Sequence, residues 1–171
     1  MEEKSPTLLT RDQVNLLKHS FRALDAQRMG QRFYQKLFDQ HPQLKPMFST
    51  NIDDQVTKII SVLELVIFSF EEKSPNQFGL QESLLLPLRD LGSKHTQKGV
   101  EHAHYPIANT LLLQSIQEEL GSILSFEGQL AWKLAIDHLS YAMTNTSITP
   151  PSTSARTLRE SFSMIKKLIR F

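Results

Sequence analysis

The chain of 171 residues contains no cysteine and only six glycines. The absence of cysteine excludes disulfides, thiolate metal sites and cysteine nucleophiles, and it fits a reducing compartment. No GxGxxG, GxxxxGK[ST] or GxSxG motif is present. These three patterns mark dinucleotide-binding loops, P-loops and the serine-hydrolase elbow. The sequence therefore gives no support to any of these chemistries.

The chain also has no excess of one sign of charge and no long apolar run. The net charge is +1, which argues against a general polyanion binder. The first six residues, Met-Glu-Glu-Lys-Ser-Pro, lack the apolar core of a signal peptide. No stretch approaches the roughly 20 apolar residues of a membrane span. We expect a soluble cytoplasmic protein, whose length suits one well-packed core.

Helical periodicity dominates what is present. Thr10 and Gln13 form the pattern of a capping box. Apolar residues then recur at helical spacing in successive segments, most clearly between Asn51 and Glu72. The pattern predicts an all-α protein, with a loop over Lys73–Ser83 and core helices at about Thr10–Leu24, Asp25–Asp39, Asn51–Glu72, Tyr105–Leu120 and Glu127–Met143.

The C-terminal residues differ in composition from the rest. We expect a core domain over residues 1–145, a Ser/Thr/Pro linker over 146–154 and a basic amphipathic helix over 155–171. The apolar positions of this last segment are Leu158, Phe162, Ile165 and Ile169. Such a helix can pack on its own domain, pair with another chain, connect to an output domain or lie on an anionic membrane.

The stretch from Leu91 to Val100 holds the most informative histidine. Leu88, Leu91 and His95 recur at i, i+3 and i+7, so they share one face of a short helix that Gly99 closes. A histidine on such a face can be a hydrogen-bonded core residue, or it can offer a neutral imidazole nitrogen to a buried cavity. Local sequence alone leaves both interpretations open.

An ordered set of short motifs favours the second interpretation. The set is Phe33-Tyr34, then Pro46-Met-Phe48, Gln55, Leu91-xxx-His95-xxx-Gly99-Val100, Tyr105-Pro106 and Ala131-Trp132. In order and spacing it resembles the bacterial single-domain globins and the globin portion of flavohaemoglobins, over roughly residues 7 to 145. The resemblance implies a globin fold, in which eight helices surround a haem pocket, here with an extra C-terminal amphipathic helix.

The resemblance also implies roles for individual residues. His95 would be the proximal ligand to the haem iron, with its second ring nitrogen bonded to the carbonyl of Leu91. Tyr34 and Gln55 would be the distal pair that faces the bound gas. The further cofactor-binding residues would be Phe48 at a corner between helices, Ile59 on the distal wall beside Leu63, Leu91, Val100 and Tyr105.

Function follows from these roles as an expectation. No histidine lies between Asn51 and Glu72, so the iron would be five-coordinate, and no CxxCH is present, so haem b would be held noncovalently. The simplest function is reversible binding of dioxygen, and of carbon monoxide and nitric oxide, for oxygen transport or storage. The alternatives are a gas sensor that acts through the C-terminal helix and a nitric oxide dioxygenase.

Two departures from flavohaemoglobins bear on the dioxygenase alternative. We expect no flavin- or NAD-binding domain within these 171 residues, so turnover would need an external reductase as a partner. Tyr105 matches the proximal tyrosine of that family, but the position of its late-helix glutamate falls near Ser147. We expect His102 and His104 to be surface residues.

Overall fold

The computed structural model describes residues 5–48, 51–145 and 163. Helices account for most of this part of the chain, as predicted. The α-helices are α1 (Arg11–Ala23), α2 (Ala26–Gln40), α3 (Ile52–Phe68), α4 (Glu82–Gln97), α5 (His104–Leu120) and α6 (Phe126–Thr144). Short 3₁₀ helices occupy Pro42–Met47 and Gly121–Ile123, and the strands β1 (Phe70–Ser74) and β2 (Gln77–Leu80) lie between α3 and α4.

Side-chain caps explain where the helices begin. The hydroxyl of Thr10 accepts a hydrogen bond from the backbone N–H of Gln13 at 3.2 Å, and the Gln13 side chain accepts one from Thr10 N–H at 3.0 Å. This reciprocal pair confirms the predicted capping box. The side chains of Asp25, Asn51 and Ser125 each accept one backbone N–H from the first turn of α2, α3 and α6.

The predicted loop over Lys73–Ser83 is wrong, and so is the extension of the third helix to Glu72. Helix α3 ends at Phe68, and an antiparallel hairpin of β1 and β2 follows. Phe78 of the hairpin also pairs with Leu9, through N–H to carbonyl distances of 2.9 and 2.7 Å. This pairing joins residues far apart in the sequence, and it stabilises a strand conformation that local periodicity cannot reveal.

The helix that carries His95 is longer than predicted. Helix α4 begins at Glu82 and includes the apolar run that precedes Leu91, with Pro87 inside the helix. Its end is at the predicted place, because Gly99 adopts a φ of 90°, a left-handed conformation that favours glycine.

Two glycines allow helices to cross closely. A Cβ on Gly30 of α2 would lie 2.7 Å from a methyl group of Val56 on α3. One on Gly92 of α4 would lie 1.9 Å from the carbonyl oxygen of Met143 on α6. Glycine at these two positions lets α2 approach α3 and α4 approach α6.

The boundaries predicted at the C-terminus fall at the end of the described segment. Helix α6 ends at Thr144. The linker over 146–154 and the helix over 155–171 lie outside the described residues, apart from residue 163. None of the helices in the described ranges is long and apolar enough to cross a membrane.

Candidate functional site

A central cavity of about 210 Å³ lies between the helices. Helices α2 to α6 and the 3₁₀ segment after α2 contribute its walls. Eight residues for which the sequence predicted a cofactor or gas contact line this one cavity, although they come from four helices and two connecting segments. They are Tyr34, Phe48, Gln55, Ile59, Leu91, His95, Val100 and Tyr105.

His95 has one ring nitrogen held by the backbone of its own helix. Its Nδ1 lies 2.8 Å from the carbonyl oxygen of Leu91, one turn earlier. A carbonyl can only accept a hydrogen bond, so Nδ1 carries the proton and Nε2 keeps its lone pair. Burial lowers the pKa of His95, against an opposing contribution from the bond to Leu91. The side chain is therefore a neutral imidazole with Nε2 as a potential metal ligand.

An aromatic cluster forms another part of the wall. The ring of Tyr34 lies 4.9 Å from Phe33, 5.9 Å from Phe38 and 5.6 Å from Phe48, measured between centroids. Phe38 and Phe48 are 5.2 Å apart at an angle of 74°. Edge-to-face contacts with Phe33 and Phe48 and a tilted contact with Phe38 fix the orientation of the Tyr34 ring, and the cluster holds Phe48 at the corner where the sequence predicted it.

The hydroxyl of Tyr34 points toward the start of α3. It donates to the backbone carbonyl of Gln55 at 3.5 Å, a long and therefore weak hydrogen bond. Burial raises the pKa of Tyr34, so the phenol stays protonated and remains a donor. Gln55 is 9% exposed and lies in the same wall. Tyr34 and Gln55 thus place two hydrogen-bonding side chains in this wall of the cavity.

Several lining residues were not predicted. Lys58, Lys94 and Lys98 line the cavity together with His104. His104 was expected at the surface, but it is half-buried at the start of α5, where its Nδ1 accepts from the N–H of Glu101 at 3.0 Å. The sequence could have indicated that these lysines line the cavity, because Lys58 lies one turn after Gln55. Lys94 and Lys98 lie on either side of His95 in the sequence.

The distal wall differs from the prediction at one position. Val62 lines the cavity beside Ile59, whereas Leu63 packs in the core at 2% exposure and is not among the lining residues. Both residues belong to the apolar face of α3. The rotation of α3 about its axis decides which of them faces the cavity, and the close contact of Val56 with Gly30 sets that rotation.

The donor chemistry of the cavity fits a haem. Nowhere in the described ranges do three or more His, Cys, Asp or Glu side chains come together as a metal site. An iron beside His95 would therefore need most of its ligands from an organic cofactor, as a porphyrin provides. The apolar walls suit the faces of a porphyrin, and the lysines suit its carboxylates.

Comparisons with known proteins agree with this chemistry. The Globin family model matches residues 31–143. Leghemoglobin 3 of Sesbania rostrata is 31% identical over 140 residues, which cover 78% of this chain and 95% of that protein. A flavohemoprotein of Rhizobium meliloti (strain 1021) is 32% identical over 110 residues, which cover 64% of this chain but only 26% of the flavohemoprotein.

Solved structures show the same fold. An engineered carbene transferase from Rhodothermus marinus superposes with a TM-score of 0.65 at 25% identity, covering 79% of this chain and 90% of that one. A bacterial globin from Campylobacter jejuni gives a TM-score of 0.61 at 20% identity, covering 93% and 98%. The fold, the cavity and these relatives lead to one conclusion: the chain belongs to the globin family, and membership implies a haem cofactor.

Proposed function

We propose that this globin holds haem b noncovalently and binds dioxygen reversibly for transport or storage, with His95 as the proximal ligand. When bound, the haem supplies an iron with one open coordination position for a diatomic gas. The observation that carries the proposal is the hydrogen bond between His95 Nδ1 and Leu91, which directs the Nε2 lone pair away from the helix backbone. The same bond fixes the ring orientation that ligation needs.

The remaining wall residues position the cofactor in this proposal. Phe48, Ile59, Leu91 and Val100 pack against it, and their apolar surfaces exclude water. Tyr105 is partly buried near the proximal side, and burial raises the pKa of its hydroxyl, so it stays a neutral donor. Lysines around the cavity, Lys58, Lys94 and Lys98, offer positive charge to the propionates.

In this proposal Tyr34 and Gln55 favour the binding of dioxygen over that of carbon monoxide. A protonated phenol and a side-chain amide can donate hydrogen bonds to a bound dioxygen, which carries partial negative charge, but much less to carbon monoxide. In a buried site such a bond contributes roughly 1–3 kcal/mol, or about ten- to a hundredfold in affinity. The long contact from Tyr34 to the Gln55 carbonyl costs little to exchange for a bond to the gas.

An absorption spectrum of the reduced protein, with and without carbon monoxide, tests the proposal after reconstitution with haem. We expect a Soret band that shifts on addition of carbon monoxide. His95→Ala should abolish or grossly alter the band, whereas the matched control His19→Ala, at an exposed position of α1, should leave it unchanged. Circular dichroism establishes that both variants fold. A folded protein without a Soret band contradicts the proposal.

The likeness to a flavohemoprotein favours nitric oxide dioxygenation as a second candidate. The aligned 110 residues are about a quarter of that relative, so the electrons would come from a reductase outside these residues. Adding nitric oxide to the oxygenated protein, with a flavin reductase and NADH, tests this candidate. Sustained consumption of nitric oxide supports it, and slow single turnover with no consumption of oxygen under any reductant argues against it.

A further inference from the structure

Five charged side chains join α2 to α5. Three basic residues of α2 follow one another at intervals of four, so they form one stripe along the helix. They contact two neighbouring acidic residues near the end of α5. The basic residues are Arg28, Arg32 and Lys36, and the acidic residues are Glu118 and Glu119. We call these five residues the α2–α5 ion-pair network.

Each acid of the network is shared by two cations. Arg28 Nε donates to a carboxylate oxygen of Glu119 at 2.8 Å, and Lys36 Nζ donates to one of Glu118 at 2.6 Å. Arg32 lies between them and reaches both carboxylates, at 3.2 Å from Glu118 and 3.6 Å from Glu119. The Glu119 side chain is only 6% exposed, and the pKa of Glu118 is lowered, mainly by the hydrogen bond from Lys36. Shared and partly buried charges restrain two helices better than an isolated exposed pair does.

The opposite face of α2 carries Gly30 and Tyr34. Each of them is two residues away from members of the basic stripe, and residues two apart in an α-helix point in nearly opposite directions. Gly30 meets Val56 of α3 so closely that a Cβ on it would stand 2.7 Å from a methyl group. The Tyr34 hydroxyl lies 3.5 Å from the backbone carbonyl oxygen of Gln55, also on α3. Helix α2 is therefore held between α5 on one side and α3 on the other.

The distance from Tyr34 to the Gln55 carbonyl is longer than an ordinary hydrogen bond from a hydroxyl, which is about 2.7–2.8 Å. Because Gly30 already touches α3, α2 can bring Tyr34 closer to that carbonyl only by tilting about this contact. Arg32 and Lys36 are the neighbours of Tyr34 on the other side of the helix, and their ion pairs hold this turn of α2 toward α5. The network thus opposes the tilt.

We propose that the α2–α5 ion-pair network holds the Tyr34 hydroxyl back from the Gln55 carbonyl and so keeps it available to a ligand in the central cavity. Arg32, Lys36 and Glu118 are then positioning residues, since none of the three is among the residues that line the cavity. When the network is broken, α2 tilts toward α3, and the hydroxyl bonds to the carbonyl instead of to the ligand. This inference rests on the proposed function, in which Tyr34 faces the bound gas.

The double variant Glu118→Gln with Glu119→Gln tests the proposal, because it removes both negative charges and keeps the size of the side chains. We expect dioxygen to dissociate about two- to fivefold faster, a change of the size that ion pairs of this kind contribute. The infrared stretch of bound carbon monoxide should shift in the same direction as in Tyr34→Phe. The matched control is Asp137→Asn, which removes an ion pair with Lys133 inside α6 and should change neither quantity.

The Tyr34→Phe background separates positioning from stability. In this background the double variant should release dioxygen at the rate of Tyr34→Phe alone, because the hydroxyl on which the network acts is absent. A network that only stabilises the fold would change the free energy of unfolding and leave the gas kinetics unchanged. A rate that does not rise, or that rises equally in both backgrounds, overturns the proposal.

Substitutions at Lys36 test the same inference without altering the buried carboxylate of Glu119. Lys36→Met should speed the release of dioxygen, and Lys36→Arg, which keeps the charge, should restore the original rate. Equal rates for the two variants would contradict the role of the charge.

A readout from tyrosine NMR needs no haem. The chain has three tyrosines, Tyr34, Tyr105 and Tyr141. In protein labelled with ¹³C-tyrosine, the ring carbon that bears the hydroxyl reports the hydrogen bond of that hydroxyl. Removing the two charges of the network should move the Tyr34 signal and leave the other two in place, and three unmoved signals would overturn the inference. If no carbon monoxide complex forms at all, the proposed function fails, and the Tyr34 signal still decides the inference.

Discussion

Gly92 of α4 lies directly against the backbone of Met143 on α6. A Cβ at position 92 would stand 1.9 Å from the Met143 carbonyl oxygen, so no side chain fits without moving one of the helices. His95 lies three residues further along α4, and its position in the cavity therefore depends on this contact. The crossing of two helices thus helps to place the proposed iron ligand.

Gly92→Ala should destabilise the fold for this reason. Forced overpacking typically costs about 1–3 kcal/mol, and a clash with backbone belongs at the upper end of that range. The free energy of unfolding in urea measures the effect, and haem retention should fall with it. The control is Ser93→Ala at the neighbouring exposed position, for which we expect a change within about 0.5 kcal/mol. Equal stability of the two variants would show that α4 and α6 separate easily.

Tyr34→Phe should speed the release of dioxygen while the haem stays bound. The substitution removes the hydroxyl and keeps the ring among Phe33, Phe38 and Phe48. Loss of one hydrogen bond in a buried site predicts a dissociation rate roughly ten- to a hundredfold higher. Stopped-flow displacement of dioxygen by carbon monoxide measures this rate. Tyr141→Phe, on α6 and outside the central cavity, is the control. An unchanged rate would mean that Gln55 alone donates the hydrogen bond to the bound dioxygen.

The sequence predicted the parts of the site that depend on local spacing. The bond from His95 to Leu91 is a helix-internal contact, and the predicted capping box of Thr10 and Gln13 is equally local. Contacts between distant segments could not be predicted in this way. Phe78 of the hairpin pairs with Leu9, about 70 positions away, and no periodicity signals such a partner.

Cavity residues at the edge of a helix face were missed for a related reason. An apolar stripe defines a helix face to within a residue or so, and Val62 and Leu63 are neighbours on the same stripe of α3. The packing of α3 against its neighbours, which includes Val56 against Gly30, decides which of them faces the cavity. The resemblance to globins assigned roles only to residues that match motifs of that family. It assigned no role in the cavity to Lys98 or His104.

Ser20→Ala should destabilise the protein because it removes the hydrogen-bond acceptor of Trp132, the only tryptophan in the sequence. The indole N–H of Trp132 donates to the hydroxyl of Ser20 at 2.9 Å, and the tryptophan is fully buried. Removing the acceptor leaves a buried donor unsatisfied, which costs about 1–3 kcal/mol. Urea unfolding of the haem-free protein, followed by tryptophan fluorescence, measures the loss. Ser61→Ala on α3 is the control, because its hydroxyl bonds only to its own helix.

Lowering the pH should reduce the free energy of unfolding, in part because His138 on α6 takes up a proton. Its ring is buried, lies edge-on to Phe70 at 5.5 Å and has Nε2 3.1 Å from the carbonyl oxygen of Thr7. Burial lowers the pKa of His138 in the folded protein, against opposing contributions from Thr7 and Asp137. The folded state therefore favours the neutral ring, and the unfolded state binds the proton more readily.

The sign of the pH dependence follows from linkage. The contribution of His138 to stability is fully present above the ordinary histidine pKa of about 6.5, and it is lost as the pH falls from there through the lowered pKa of the folded protein. Urea unfolding between pH 7.5 and pH 5 should show this loss. His138→Gln keeps a donor toward Thr7 and cannot take up a proton, so its stability should fall less steeply over the same range. His19→Gln, exposed on α1, should keep the slope of the unsubstituted protein. Identical slopes for all three proteins would mean that the His138 ring becomes solvated without unfolding.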